Sequence, residues 1–209
     1  MNRPTRTRLS TLNLSRRGVP KKFHHLSIKD FEHFNNEDLK KIKDFMENYL
    51  NNLHKVFDSN EGILFYGSNG SGKTMLSSLI VKEAYKYRYT SKRATFVQYI
   101  SEYTRVWGER DKEEAEEVFY NDFKAVEFLV LEEVGKEIDS KISSPILEDC
   151  LRYREDHGLV TIICSNLTPK DLVDKYGMSI GSLIKGNCVP IKIESKDQRN
   201  NSFKERCNK

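Results

Sequence analysis

Gly67-Ser68-Asn69-Gly70-Ser71-Gly72-Lys73-Thr74 satisfies the pattern G-x-x-x-x-G-K-[ST] at every specified position. The residues before it, Gly62-Ile63-Leu64-Phe65-Tyr66, are bulky and apolar enough for a buried strand, and residues 75–85 carry apolar side chains at helical spacing. The octet therefore sits between a strand and a helix, the context a phosphate-binding loop requires. Its chemistry needs a backbone that turns sharply, amides aimed inward, and a helix amino end whose partial positive charge faces an anion. Gly67, Gly70 and Gly72 give the turn its freedom, and Ser68, Asn69 and Ser71 complete the cradle. Lys73 is expected at the terminal phosphates of a nucleoside triphosphate, and the Thr74 hydroxyl on Mg2+.

Downstream, Phe128-Leu129-Val130-Leu131 is a continuous apolar run ending in Glu132-Glu133. Open α/β sheets place their active groups at such strand ends. Glu132 is expected to hold the metal, directly or through water, and Glu133 to orient and deprotonate an attacking water. Residues 159–164 read as a further buried strand that ends at Ser165-Asn166. A polar amide at that tip suits a group that senses the terminal phosphate or holds water. It suits equally well a plain turn before Thr168-Pro169.

The 209 residues suffice for one domain, with 37% apolar and 32% charged side chains. No segment approaches the roughly 18 consecutive apolar residues of a membrane span, nor does the amino end read as a secretory signal, so the expected location is the cytoplasm. Cys150, Cys164, Cys188 and Cys207 are widely spaced, which suits reduced thiols better than disulfides or zinc. The net charge of +4 is uneven: the first 29 residues hold eight Lys or Arg and no acid. Residues 1–18, with Arg3, Arg6, Arg8, Arg16 and Arg17, read as a flexible basic arm or a short partner-dependent helix that nucleic acid or an acidic protein groove could receive.

Asn35-Asn36 suits a helix cap, and residues 37–57 read as one amphipathic helix. Residues 94–100 read as the second strand, with Ser101 capping a helical stretch to about residue 123. Tyr99, Tyr103, Arg105, Trp107, Arg110 and Lys112 interleave aromatic and basic groups as a single-strand stacking surface would, but the acids at 113–117 would repel a phosphate backbone. A helix over 144–157 and a fifth strand over 189–193 complete the reading.

Taken in order, Gly18-Val19-Pro20, the phosphate loop, Glu132-Glu133-Val134-Gly135, the strand ending at Asn166, and Leu167-Thr168-Pro169-Lys170-Asp171-Leu172 carry a resemblance. The chain resembles the AAA+ replicative helicase loaders of bacteria and their phages, a clade shared with insertion-sequence transposition helper ATPases. The resemblance covers residues 18–199. It implies a three-layer α/β/α P-loop NTPase with a five-stranded parallel sheet of order 5-1-4-3-2, ATP and Mg2+ as cofactors, and ATP bound between adjacent subunits. It also implies a hexameric replicative helicase and single-stranded DNA as partners, with self-assembly on the helicase. Asn166 then takes the sensor role.

Three departures stand out. Glu132 replaces the usual Asp and is one methylene longer. Ser182 stands where the family pattern puts an arginine that reaches a neighbouring subunit's ATP; Lys185, Arg152 and Arg154 are the candidate substitutes, and slow or partner-stimulated hydrolysis is expected. Fewer than 20 residues precede the part that resembles the family, which leaves the basic arm as the candidate helicase grip. The expected division is an arm at 1–18, an ATPase core at 19–194 and a polar tail at 195–209, too short for a full C-terminal lid, with Arg199 as a possible second sensor. The transposition helper, which would coat duplex DNA and recruit a transposase, is the alternative function. A small-molecule kinase is disfavoured, because no substrate lid or second base is apparent.

Overall fold

The computed structural model describes residues 9–31, 36–108, 111–137 and 140–194. Its centre is the strand that feeds the phosphate loop, β1 (Gly62–Tyr66), which lies between β4 (Val160–Ser165) and β5 (Cys188–Lys192). β4 continues to β3 (Phe128–Val134), and β3 to β2 (Ser91–Thr95). All pairings are parallel and the order is β2-β3-β4-β1-β5, the expected 5-1-4-3-2 read from the other edge. A parallel sheet must be covered on both faces, so its central strands alternate between two apolar cores.

Ile63, Phe65, Phe128, Val130, Ile162 and Cys164 face the first core. That core is completed by α2 (Glu37–Asn51), α3 (Leu53–Asp58) and α4 (Lys73–Lys86). Leu64, Leu129, Leu131 and Ile163 face the second. There they meet α5 (Phe96–Arg105), α6 (Lys112–Phe119), α7 (Ser140–Asp156), α8 (Pro169–Tyr176) and α9 (Met178–Asn187).

Several boundaries differ from the sequence reading. Residues 96–100 are helical, and β2 is the polar stretch before them. Thr95 is the cap: its hydroxyl accepts from the Gln98 amide, and the Gln98 side chain accepts from the Thr95 amide, a capping box that starts α5 at Phe96. The 37–57 helix is interrupted at Asn52, whose side chain turns back to Asn48, although Asn36 caps its start as expected.

The amino-terminal boundary also moves. Residues 9–18 do not form a free arm: they carry the short helix α1 (Thr11–Arg16), whose Leu14 is buried in the first core. Arg17 lies over the Tyr85 ring, 3.8 Å from its centroid, and Asn13 donates to the Tyr85 hydroxyl at 2.7 Å. The Arg93 amide donates to the Arg17 carbonyl at 2.8 Å, so this segment covers the outer edge of β2. Residues 1–8 and the tail 195–209, with Arg199 and Cys207, lie outside the described residues. Cys150, Cys164 and Cys188 are buried free thiols, and no described helix is long and apolar enough to cross a membrane.

Candidate nucleotide site

Gly67, Gly70 and Gly72 all have positive φ, at 133°, 75° and 105°. At Gly67 the space is closed as well, since a Cβ would stand 2.3 Å from the Ile193 carbonyl. The loop therefore wraps the end of α4, directing the amino end of a 14-residue helix into a cavity of about 340 Å3. Asn69, Gly70, Ser71, Gly72, Lys73, Thr74, Glu132, Glu133 and Asn166 all line it, so the topology joins the three separate motifs of the sequence in one place.

Lys73 folds back over its own loop and donates to the carbonyls of Gly67 and Ser68, each at 2.7 Å. Thr74 donates from its hydroxyl to Glu132 Oε2 at 3.0 Å. The Glu132 carboxylate is buried, and its Oε1 accepts from the Ser77 hydroxyl and from Arg93 Nε at 3.3 Å. Burial and this neighbouring carboxylate push the Cys164 thiol well above its ordinary range, which leaves it a neutral wall of the site.

Glu133 behaves differently from its neighbour. It has φ of 61°, in the left-handed region where a side chain other than glycine is strained, and it coincides with the register shift between β3 and β4. The irregularity turns it out of the sheet, exposed, into a 2.7 Å pair with Lys136. Asn166 at the tip of β4 donates to Asn69 Oδ1 at 2.9 Å. Ser165 beneath it donates to the Val134 carbonyl at 2.6 Å and ties β4 to β3 just beyond the acidic pair.

This donor set fits ATP and Mg2+. A glycine cradle, a helix amino end and a lysine meet an anionic polyphosphate, while a hydroxyl and a buried carboxylate at hydrogen-bond distance supply the hard oxygen ligands that magnesium takes.

The sequence reading missed Ser77 and Arg93 as supports of Glu132, and Lys22, Phe23 and Lys136 as lining residues. Ser77 was findable, because it lies one helical turn beyond Thr74. Arg93 was hidden by the misplaced second strand; with β2 at Ser91–Thr95 it stands two residues before the partner of Glu132, on the same face of the sheet.

The arginine candidates separate clearly. Arg154 is fully buried and donates to the Thr161 hydroxyl and to the carbonyls of Lys124, Val126 and Val160, so it cannot reach a neighbouring molecule. Arg152 is exposed but pairs with Glu148 at 2.7 Å and donates to Ser179 at 2.8 Å. Ser182 and Lys185 are exposed on α9. Among the proposed stacking residues, Tyr99 belongs to the second core, Trp107 is 63% exposed, and Arg110 lies outside the described residues.

These features define a three-layer α/β/α fold with a five-stranded parallel sheet and a phosphate-binding loop between its central strand and α4. No family model and no curated protein sequence matches the chain. Among solved structures it is similar to the DnaC helicase loader, with TM-score 0.70 and 20% identity over 84% of this chain and 100% of that one. It is similar to DnaI, with TM-score 0.69 and 23% identity over 84% of this chain and 94% of the other. AMPPCP-bound DnaA from Aquifex aeolicus matches with TM-score 0.66 and 22% identity, over 91% of this chain and 56% of that one, so the chain spans about half the DnaA length. At these identities the shared property is the fold.

Proposed function

We propose that this protein is an ATP-dependent loader that binds a hexameric replicative helicase, helps deposit it on single-stranded DNA, and uses ATP as the switch. The observation that carries the nucleotide half is the contact of Thr74 with the buried Glu132 carboxylate beneath a glycine cradle that also receives Asn166. The loader half is supported by the similarity in fold to the DnaC helicase loader and to DnaI.

In this reading Lys73 leaves the carbonyls of Gly67 and Ser68 for the terminal phosphates, and the loop amides neutralise the remaining oxygens. Thr74 and Glu132 would hold the metal, which would screen the phosphate charge and polarise the terminal phosphate. Glu133 orients the attacking water once Lys136 releases it, and Asn166 exchanges Asn69 for a phosphate oxygen or that water. Hydrolysis is slow, because Ser182 offers no planar cation to a neighbour and Arg154 is committed to the core. Helicase contact falls to the amino-terminal side, where Leu12 is 60% exposed on α1 and the chain carries Arg3, Arg6 and Arg8.

The test is sedimentation with the replicative helicase of the cell that expresses the protein, with and without ATP, and with Lys73→Ala as control. A stoichiometric complex that responds to ATP in the wild type and not in the variant is expected. Absence of a complex in every state, together with filaments on duplex DNA, would replace the loader with the transposition helper.

A further inference from the structure

Glu132 is a buried carboxylate that already has a cation beside it. Arg93 contacts Oε1 at 3.3 Å, while Oε2 faces Thr74, so the two oxygens of one carboxylate look toward two different cationic positions. Arg93 is itself 13% exposed in its side chain, and its Nη1 donates to the Gly18 carbonyl at 2.9 Å. Gly18 is pressed against the same residue: its φ is 78°, and a Cβ there would stand 1.9 Å from the Arg93 carbonyl. One guanidinium thus bridges the carboxylate of the nucleotide site and the segment that docks α1.

We propose that Arg93 is an internal counter-ion that sets the metal requirement of the nucleotide site. The inference rests on the ATP reading above and adds its regulation. A buried carboxylate needs compensating charge, and here an arginine at 3.3 Å supplies it permanently. That neutralisation keeps the site folded without metal, and it also weakens the attraction of Glu132 for a divalent ion, since two cations share one anion at short range. The longer Glu side chain suits this arrangement, because it spans from the strand to Arg93 and Ser77 on one oxygen and Thr74 on the other. The charge on Arg93 therefore raises the Mg2+ concentration needed for tight nucleotide binding.

The test is a titration of Mg2+ at fixed fluorescent ATP analogue, read as nucleotide binding by anisotropy, on wild type, Arg93→Gln and Arg93→Lys. Arg93→Gln should lower the half-saturating Mg2+ about tenfold, whereas Arg93→Lys, which keeps the charge but not the fork, should stay within about twofold of wild type. If Arg93→Gln does not fold, as judged by circular dichroism, Arg93→Met takes its place with the same expected shift. An unchanged or raised Mg2+ requirement in the neutral variants overturns the counter-ion role, as does an equal fall in Arg93→Lys. Wild-type protein that fails to bind the analogue at any Mg2+ concentration overturns the ATP reading itself, and the inference with it.

Discussion

Asn166 donates to Asn69 Oδ1 at 2.9 Å, a contact that joins the end of β4 to a phosphate loop 97 residues earlier in the chain. Both side chains are exposed, so the bond adds little to stability, and its consequence is positional: the amide is parked over the cavity. Asn166→Ala is expected to change ATP affinity by less than about threefold while lowering the hydrolysis rate about tenfold or more, the size of one lost polar contact to the transition state. Equal losses in both quantities would make Asn166 a binding residue.

Arg154 has a structural role that its sequence position conceals. Burial lowers its pKa to about 10, and among the described residues its hydrogen bonds go to neutral oxygens, three of them backbone carbonyls. Arg154→Ala would take a buried donor from those carbonyls and leave a cavity beside β4, so a loss of about 3–5 kcal/mol is expected in urea unfolding. Arg154→Lys recovers only part of it, because an ammonium cannot span the same four acceptors.

Glu137 gives a pH signature. Burial raises its pKa, but bonds from Lys175, Tyr176 and the Gly135 amide outweigh burial and hold it below its ordinary value. The unfolded chain therefore binds more protons in that interval. The stabilisation is fully present above the unfolded value of about 4.3 and is lost as pH falls through the folded one. Urea midpoints of wild type should fall more steeply below about pH 4.5 than those of Glu137→Gln, with the variant the less stable of the two near neutrality. Parallel curves would remove this carboxylate from the acid transition.

Leu14 tests whether α1 belongs to the domain. It is 2% exposed in the first core, so Leu14→Ala should cost about 2–5 kcal/mol by urea unfolding. A cost below about 0.5 kcal/mol, the range of surface substitutions, would return residues 9–18 to the status of a loose arm.

The parts of the fold legible in the sequence were those with strong local pattern. The loop glycines marked the phosphate loop and the apolar runs marked β1, β3 and β4, whereas the sheet order followed from the family resemblance and not from any local pattern. The failures have local causes. Phe96 and Tyr99 have strand-like composition, and only the Thr95-x-x-Gln98 box marks a helix start there. Lys92 and Arg93 do not look like strand residues, because β2 lies at the edge and is covered by residues 16–18. The helix expected over 144–157 begins earlier, at Ser140, and carries Pro145 inside. The basic charge of residues 1–18 suggested solvation, while Leu14 and the stacking of Arg17 on Tyr85 decided the packing. The strained backbone of Glu133 had no sequence signal at all, since left-handed φ is read from glycine and asparagine.

Calorimetric titration of ATP into wild type and Lys73→Ala in the presence of Mg2+ reads out whether the cavity over residues 67–74 holds ATP through Lys73. One ATP per chain is expected in the wild type, with an affinity weakened about 10- to 100-fold in the variant, the equivalent of one charge-assisted contact. Equal affinities, or no heat of binding to the wild type at all, would contradict ATP binding through Lys73.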